Sequence, residues 1–404
     1  MEYRSDCLHF RGHVPCAPHK REGVHCAGCP HHVTREGRIL LIKLGAAGDV
    51  IRTTPLLGPL GRDYPRHALT WVTYYPELVP AEVGDRVRFD AASVLWARNT
   101  RFELVINLDK DREACALARE VAASRKLGFI LGDDGLAHPV SVGESAPVDT
   151  AAPLDRPTAP APRDQAAPGD QAAPRDQAVP RDPAAPTPAA AAEAKYLTGL
   201  FDDVNQACPL SYLQEIFAIC GYEFEGEEYR LDRPVPPAVA LPPRRPRVGL
   251  NTGCGDRWTS RLWPEHHWAE LAAQLQADGY GVVLLGGPAE HERNLRLAER
   301  AGATYPGTFP LREFIGLMDL CDVVVTAVTM AMHVAIGLRK QLVLINNIFN
   351  PREFELYGRG LIVQPEQPCQ CFFQPRCTAE RFCLETLAPQ TVRAAVRCLA
   401  PVQR

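Results

Sequence analysis

The stretch RILLIKLGAAGDV, residues 38–50, decides the fold. Its first seven residues form the apolar run expected of a strand that is buried on both faces of a parallel sheet. The turn at 45–49 is short and contains glycine, and a helix is expected from Val50, with Pro55 near its first turn or at a kink. Strand, turn and helix in this order open a βαβ unit, so a parallel sheet with helices on both faces is predicted.

The same alternation of strand and helix continues along the chain. In the first part, strands are expected at 68–73 and 103–108 and a helix at 111–123. A proline-rich stretch at 234–246 reads as a linker between domains. Beyond it we expect strands at 247–251, 281–285, 322–326 and 341–346 and helices at 264–278, 290–301, 311–320, 329–338 and 389–400. The sequence therefore predicts a second α/β unit.

Size and composition limit the class of protein. The chain has 404 residues, 46% of them hydrophobic, which suits two or three domains with packed cores. The formal net charge of −4 and the scattered arginines argue against a nucleic-acid partner. No apolar run approaches the roughly 18 residues that a membrane span needs, and residues 1–10 carry no signal-peptide pattern. A cytoplasmic protein is expected.

Residues 145–192 interrupt the pattern of strands and helices. An Ala-Pro-Arg-Asp-Gln-Ala unit recurs about every six residues from 161 to 186, and large apolar side chains are almost absent. Such a segment cannot bury enough apolar surface to offset the entropy of ordering it. We expect a disordered insertion without a chemical role, inside a first lobe at 36–235.

Eight of the 14 cysteines fall into two clusters. These are Cys7, Cys16, Cys26 and Cys29, and Cys369, Cys371, Cys377 and Cys383. In a reducing compartment such clusters indicate metal ligands sooner than disulfides. Residues 1–35 are too few to bury a core, so we predict a small metal-binding knuckle in which histidines could replace cysteines as ligands. Residues 369–383 are predicted to form a four-cysteine finger. Four thiolates suit a structural Zn or a single Fe, and unligated thiols are the alternative.

Four loops follow predicted strands at the edge where open α/β sheets bind ligands. The candidates in these loops are Gly45, Gly48 and Asp49; Thr252, Gly253, Arg257 and Arg261; Gly286, Gly287 and Glu290; and Thr329, Met330 and His333. Backbone amides at glycines and paired arginines suit a diphosphate. Each group has a structural alternative: Asp49 as a helix cap, a solvated basic loop, Glu290 beside a helix dipole, and His333 as a buried hydrogen-bonded side chain.

In this order, the four segments resemble glycosyltransferase family 9, the ADP-heptose:lipopolysaccharide heptosyltransferases. The resemblance rests on ILLIKLGAAGDVIRTTP at 39–55, on RLWP at 261–264 and on LGGPAE at 285–290, and it spans 37–403 without the repeat insertion. It implies a GT-B fold of two Rossmann-like lobes facing a central cleft. The acceptor lobe would be 36–235, the nucleotide-sugar lobe 245–385, and a C-terminal helix would follow at 386–404.

The resemblance also implies the chemistry. Transfer would be inverting and metal-independent, from an ADP-sugar such as ADP-heptose to a hydroxyl of the lipopolysaccharide core or another glycan. Asp49 aligns with the family's general base, and Arg261 with a basic residue that steadies the leaving diphosphate. No cofactor would be needed for catalysis, and a lipid-linked acceptor would bring the protein to the cytoplasmic face of the inner membrane.

One segment departs from the family pattern. The family has Asp-Thr-Gly-x-x-His where this chain has VTMAMH at 328–333, so an aspartate and a glycine are missing. The next loop, 346–355, offers Asn347, Asn350 and Glu353 towards the cleft and resembles protein heptosyltransferases, which also have a C-terminal four-cysteine iron finger. Two alternatives therefore stay open: transfer to a protein hydroxyl, and a catalytically idle sugar-nucleotide-binding scaffold.

Overall fold

The computed structural model describes residues 2–140, 186–367 and 369–402. Two α/β lobes follow one another along the chain, each built on its own sheet of mainly parallel strands. This arrangement confirms the α/β class predicted from the alternating strands and helices. The predicted insertion at 145–192 falls largely outside the described residues.

The first lobe contains a six-stranded sheet in the order β3-β2-β1-β4-β5-β6. Its strands are β1 (Gly37–Ile42), β2 (His67–Thr73), β3 (Asp85–Arg88), β4 (Phe102–Asn107), β5 (Ala123–Leu131) and β6 (Ala137–Pro139). All neighbours pair in parallel except β5 and β6. The helices up to the end of this lobe are α1 (Ala17–Glu22), α2 (Ala47–Thr53), α3 (Leu57–Asp63), α4 (Ala91–Arg98), α5 (Arg112–Glu120), α6 (Pro188–Thr198), α7 (Asp202–Ala207) and α8 (Tyr212–Cys220).

The second lobe contains a five-stranded, fully parallel sheet in the order β11-β10-β9-β7-β8. Its strands are β7 (Arg247–Asn251), β8 (Gly281–Leu285), β9 (Val323–Ala327), β10 (Gln341–Ile345) and β11 (Gly360–Val363). Its helices are α9 (Glu265–Ala277), α10 (His291–Ala301), α11 (Leu311–Asp319), α12 (Met330–Gly337) and α13 (Pro389–Leu399). Every strand and helix expected in this half is present to within a few residues.

Strand order positions the ligand-binding edge of each sheet. In the first sheet β1 lies between β2 and β4, and in the second β7 lies between β8 and β9. From β1 the chain adds strands first towards one edge of the sheet and then, from β4, towards the other, and the same change occurs between β7 and β9. Open α/β sheets bind ligands outside the carboxyl ends of the strands at such points. The loops that follow β1 and β7 are therefore the two places where a ligand is expected.

The helix after β1 begins earlier than predicted. It was expected from Val50, but α2 begins at Ala47, because the Asp49 carboxylate accepts a hydrogen bond from the Ala46 amide and closes the first turn. Asp49 is thus a third-position capping residue and not the N-cap itself. The expected interruption at Pro55 is present, as a 3₁₀ turn over Thr54–Leu56 that separates α2 from α3.

Residues 188–192 correct the predicted extent of the insertion. They form the start of α6, where Thr187 caps the helix by accepting from the Ala190 amide. Ala191 and Ala192 are buried against the first-lobe core. Small alanines can pack closely, so this end of the segment buries surface although it lacks large apolar side chains. Residues 145–185 lie outside the described residues.

The lobes touch through α2 and α12 and through the connection between them. A Cβ atom at Gly48 of α2 would overlap the ring of His333 in α12. In the connection, the Arg230 amide donates to the Thr54 hydroxyl at 2.9 Å, and the Tyr357 hydroxyl donates to the Glu227 carbonyl at 2.6 Å. The connection is therefore part of the interface between the lobes. None of the helices in the described ranges has the length and apolar content of a bilayer-spanning segment.

Candidate active site

A buried ion pair holds the loop that follows β1. Lys43 and Asp109, which lie just beyond β1 and β4, are both buried, and the Lys43 Nζ contacts the Asp109 carboxylate. The other carboxylate oxygen accepts from the Leu44 amide. Burial alone would lower the pKa of Lys43, but the Asp109 carboxylate more than offsets this and raises it. Asp109 was not predicted from the sequence. Its position just after β4, the strand that pairs with β1, could have indicated a residue near the loop after β1.

Asp49 lies where the two lobes meet. Its Oδ2 accepts from the Ala46 amide at 3.2 Å, and its Oδ1 lies 2.8 Å from the Arg52 Nε. The side chain remains 29% exposed, so an acceptor hydroxyl could still reach it. The structural interpretation of this residue therefore does not exclude the catalytic one: the carboxylate closes the first turn of α2 and also keeps part of its surface exposed.

The surroundings of Asp49 keep it ionised. Burial would raise its pKa, but the charges of Arg52 and Lys43, followed by His333 and the hydrogen bond from Ala46, lower it to about 2. A carboxylate with this pKa carries no proton at neutral pH and is free to accept one. It is also a weaker base than an isolated aspartate, because its negative charge is already compensated.

Arg52 connects the two lobes and was not a sequence candidate. Its Nη1 lies 2.6 Å from Oε1 of Glu353, which follows β10 in the second lobe. The guanidinium carbon lies 3.5 Å from the centroid of the Tyr212 ring, within cation–π range. Burial would lower the pKa of Arg52, but Asp49 and Glu353 raise it, so the guanidinium stays charged. Glu353, predicted to bind donor, is occupied by this contact.

In the second lobe, the loops after β7 and β8 support each other. The Thr252 hydroxyl donates to Asn294 Oδ1 at 2.6 Å, and the Glu290 carboxylate accepts from the Gly287 amide at 2.9 Å. Glu290 also fills the space that a side chain at Gly253 would need, so a glycine is required there. Glu290 and Thr252 thus fix the geometry of these two loops.

Arg261 lies in a 3₁₀ turn at Thr259–Arg261 and reaches the loop after β9. Its guanidinium donates to the Val328 carbonyl and, at 3.4 Å, to the Cys254 carbonyl. The Nε atom is buried without a hydrogen-bond partner among the described residues. Burial lowers the pKa of Arg261, and no carboxylate in the described part of the chain acts to raise it. A half-buried guanidinium without an anionic partner among the described residues is well suited to bind an anion.

The helix after β9 begins as predicted. Thr329 caps α12 by accepting from the Ala331 amide at 3.2 Å, and Met330 opens the helix half-buried. His333, one turn further, is buried, and its Nδ1 lies 3.4 Å from the Tyr229 hydroxyl. Burial, aided by the charge of Arg52, lowers its pKa to about 3. His333 is therefore a neutral packing residue, which agrees with the structural alternative.

The predicted directions of two side chains need correction. The Asn347 amide was expected to face the cleft, but it donates to the Ser260 carbonyl at 2.8 Å and to Cys383 Sγ at 3.2 Å. The Asn350 amide donates to the carbonyls of residues 205 and 208, both at 2.8 Å, and so contacts the first lobe. Tertiary packing of the finger and of α7 decides these directions. Arg257 is exposed beside Gly255.

The C-terminal cysteines lie side by side. Cys371 Sγ and Cys377 Sγ are 3.6 Å apart, and the Cys371 amide lies 3.4 Å from Cys369 Sγ. Cys383 interacts with Cys369, and all four are free thiols. Tetrahedral thiolate sites with metal–sulfur bonds of about 2.3 Å need sulfurs about 3.8 Å apart. No three of these sulfurs lie within 4.8 Å of one another in the described residues, so a single Zn or Fe ion would have to draw the finger cysteines closer together. The N-terminal cysteines line one cavity of about 450 Å³.

Part of the second half of the chain is similar to known proteins. Residues 231–380 match the model of glycosyltransferase family 9 (heptosyltransferase). Lipopolysaccharide heptosyltransferase 2 of Escherichia coli K12 is 32% identical over 119 residues, which are 28% of this chain and 34% of that protein. The Salmonella typhimurium enzyme of the same name is 30% identical over 119 residues. The chain thus aligns with about a third of the length of these curated relatives.

Solved structures share the fold over a longer stretch. E. coli ADP-heptose lipopolysaccharide heptosyltransferase II has a TM-score of 0.55 at 17% identity, over 90% of this chain and 98% of that one. A family 9 glycosyltransferase from Veillonella parvula has a TM-score of 0.55 at 16% identity, over 90% and 97%. The iron-containing dodecameric glycosyltransferase TibC of enterotoxigenic E. coli has a TM-score of 0.50 at 14% identity, over 90% and 76%. The fold is therefore the GT-B fold, as predicted.

Proposed function

We propose that this family 9-like protein is an inverting, metal-independent glycosyltransferase that moves heptose from an ADP-sugar to a hydroxyl of the lipopolysaccharide core or another glycan. The observation that carries the proposal is that each lobe contributes one group suited to this reaction. Asp49 of the first lobe is ionised and partly exposed, and Arg261 of the second is a half-buried cation whose Nε has no hydrogen-bond partner among the described residues. A base and an anion site are what this transfer needs.

In the proposed reaction, the acceptor oxygen attacks the anomeric carbon while the Asp49 carboxylate takes the hydroxyl proton. The bond from the anomeric carbon to the diphosphate breaks, and its electron pair leaves with the nucleoside diphosphate. Attack opposite the leaving group inverts the anomeric centre. Arg261 and the amide end of α12 stabilise the charge that develops on the diphosphate. The base and the anion site both lie near α12: Arg261 donates to the Val328 carbonyl just before this helix, and a Cβ atom at Gly48, the neighbour of Asp49, would meet the His333 ring within it.

The donor in this proposal is ADP-heptose. E. coli heptosyltransferase WaaC, with which this chain shares the fold at a TM-score of 0.53 and 16% identity, has been solved with an ADP-fluoro-heptose. The donor cradle would comprise Gly45 and Gly48 in the first lobe and Gly253, Arg257, Gly286, Thr329 and Met330 in the second. Residues 36–235 would form the acceptor lobe and 245–385 the donor lobe.

The finger at 369–383 would hold a structural Zn or Fe away from the reacting atoms. The close sulfur pair and the Asn347 amide that joins Cys383 to the Ser260 carbonyl support this, because they link the finger to the loop that presents Arg261. TibC, which shares the fold, is iron-containing. The protein would work in the cytoplasm, at the inner-membrane face where lipid-linked acceptors lie, and without nucleic acid.

Two alternatives receive less support. Transfer to a protein hydroxyl and a catalytically idle scaffold were both suggested by the missing Asp-Thr-Gly pattern at 328–333. The curated relatives that the chain matches are lipopolysaccharide heptosyltransferases, so they do not favour a protein acceptor. An ionised carboxylate that keeps 29% of its surface exposed between the lobes argues against an idle site.

A donor screen tests the proposal. The full chain is incubated with ADP-, UDP- and GDP-sugars and with lipopolysaccharide core acceptors, and products are followed by mass spectrometry. We expect transfer or slow hydrolysis with ADP-heptose, unaffected by a chelator in the assay. Asp49→Ala should lower turnover by roughly 10²–10⁴-fold and leave calorimetric binding of ADP in place.

The matched control is Asp203→Ala, which removes an exposed carboxylate of α7 in the same lobe. It should leave turnover unchanged. Full activity of Asp49→Ala, or absence of reaction with every sugar nucleotide by a protein that still binds ADP, would remove the proposal and leave the scaffold alternative.

A further inference from the structure

Residues 2–35 form a folded segment that has almost no core. Among these residues only Cys7 and Pro18 are buried. Its regular structure is the six-residue helix α1 and one isolated bridge between Cys7 and Thr34. So few apolar contacts cannot offset the entropy of ordering some thirty residues, and segments of this size are usually held by disulfides or metals.

Disulfides do not hold this segment. Every described cysteine is a free thiol, and those at 7, 16, 26 and 29 are among them. These four line a single cavity of about 450 Å³, together with five histidines. A segment whose thiols and imidazoles line one cavity, and whose large apolar side chains other than Cys7 and Pro18 are at most half-buried, has the composition of a metal-binding module.

Local backbone geometry presents the thiols. The Cys29 amide donates to the Cys26 carbonyl at 3.3 Å, and the His32 amide donates to the Cys29 carbonyl at 3.2 Å. This turn brings two thiols three residues apart to one side, as in the Cys-x₂-Cys loops of thiolate metal sites. Cys16 immediately precedes α1, and the Leu8 amide next to Cys7 donates to the Val33 carbonyl at 2.7 Å, which closes the two ends of the segment on each other.

From these observations we infer that the thiolates of Cys7, Cys16, Cys26 and Cys29 hold a transition-metal centre in the cavity of residues 2–35. No three of these sulfurs lie within 4.8 Å of one another, whereas His266, His267 and Glu385 elsewhere in the described chain do so at the surface. The ligands therefore surround a space wider than one ion, and binding either draws them inward or fills the space with a larger centre. The centre is separate from the proposed function and from the finger at 369–383.

The centre would fix the segment to one edge of the first lobe. Arg11 lies between two of the cysteines in sequence, pairs with the Asp85 carboxylate, and donates to the Gly84 carbonyl at 2.6 Å. Asp85 begins β3, the edge strand of the first sheet. Edge strands present unpaired backbone groups that proteins commonly shield. A metal that orders residues 2–35 would keep Arg11 at this edge.

Elemental analysis of the full chain tests the inference. Metal per chain is measured by plasma mass spectrometry in the wild type, in Cys16→Ser/Cys29→Ser, and in Cys371→Ser/Cys377→Ser. We expect the N-terminal double variant to lose one centre's zinc or iron while keeping what the finger holds, and the C-terminal variant to keep the N-terminal centre. Cys398→Ser, an exposed thiol, is the control and should lose nothing. The measured stoichiometry separates a single ion from a larger centre.

A second measurement uses the wild-type chain, so its result does not depend on whether a cysteine variant folds. The wild-type chain is alkylated before and after treatment with a strong chelator, and modified cysteines are mapped by mass spectrometry. Protection of the cysteines at 7, 16, 26 and 29 that is lost on chelation supports the centre. Equal metal content in wild type and Cys16→Ser/Cys29→Ser, full reactivity before chelation, or a disulfide among these residues would overturn it.

Discussion

The Arg52 guanidinium of the first lobe lies 2.6 Å from the Glu353 carboxylate of the second, and its Nε lies 2.8 Å from Asp49 of its own helix. One cation thus joins the proposed base to the opposite lobe. Because Arg52 lowers the pKa of Asp49, the basicity of that carboxylate depends on whether the guanidinium stays beside it. The basicity of Asp49 therefore depends on a residue that also contacts the second lobe.

Replacing Arg52 should change the pH profile of the reaction. In Arg52→Gln the largest charge that lowers the pKa of Asp49 is gone, so that pKa should rise. The acid limb of kcat/KM should then move to higher pH. Glu353→Gln is the control, because it removes the contact between lobes but leaves Arg52 beside Asp49. Identical acid limbs in wild type and Arg52→Gln would show that Arg52 does not set the pKa of Asp49.

The same carboxylate predicts an acid-dependent contribution to stability. Its pKa is lowered from 3.8 to about 2, so the folded state prefers the ionised form. The stabilisation is fully present above about pH 4 and is lost as pH falls through 2. Asp49→Asn should therefore lower the free energy of unfolding at pH 6 and lose this effect near pH 2. Urea unfolding at a series of pH values measures it, and a difference that does not shrink with acid would contradict the assignment.

Gly48 and His333 predict a test of the contact between the lobes. Gly→Ala inside a helix ordinarily stabilises by about 1 kcal/mol. At Gly48 the added methyl would meet the His333 ring, so we expect destabilisation and reduced turnover. In the His333→Ala background the same change should become neutral or stabilising. Urea unfolding of the two single variants and the double variant gives the coupling, and equal effects of Gly48→Ala in both backgrounds would exclude the contact.

The buried pair beneath the first loop predicts a large loss of stability. Asp109→Asn leaves the Lys43 ammonium, only 6% of whose side chain is exposed, without its partner. Removing one member of a buried pair costs about 3–5 kcal/mol. The control is Glu265→Gln, whose exposed pair with Arg296 should contribute about 0–1 kcal/mol. Comparable losses in the two variants, measured by urea unfolding, would show that the Lys43 pair is not special.

Arg261 should act on turnover through its charge. Arg261→Ala is expected to lower kcat by about 10²–10³-fold, the usual effect of losing one group that stabilises developing negative charge. Arg261→Lys should retain part of the activity. Arg300→Ala, an exposed residue at the end of α10, is the control and should leave kcat unchanged. Steady-state kinetics with the donor identified in the screen decide this, and an unchanged kcat in Arg261→Ala would exclude the role.

Much of the fold was readable because local patterns set it. The apolar run before Lys43, the kink at Pro55 and the cap at Thr329 depend on neighbours in sequence, and all three are present. Strand β3 and helix α4 were missed, since β3 is a four-residue edge strand with a single apolar residue and α4 has a weak apolar stripe. Short edge elements depend on the sheet they join.

The site was harder to predict, because its contacts join residues far apart in the chain. Arg52 and Glu353 are separated by about three hundred residues, and nothing local marks Arg52 as the link to Asp49. The Asn347 amide turns to the finger for the same reason: its partners at 260 and 383 are set by how the second lobe closes. Sequence patterns located the loops correctly but could not give the direction of their side chains.

The connection between the lobes bears on how the enzyme would cycle. Tyr229 stacks on His333 of the second lobe, with 6.1 Å between ring centroids. Arg230 is hydrogen-bonded to Thr54 of the first lobe. The connection therefore contacts both lobes. If sugar-nucleotide binding and ADP release require the lobes to separate, these contacts must break and re-form in each catalytic cycle. We therefore expect the opening movement, rather than bond making at the anomeric carbon, to set the pace of catalysis.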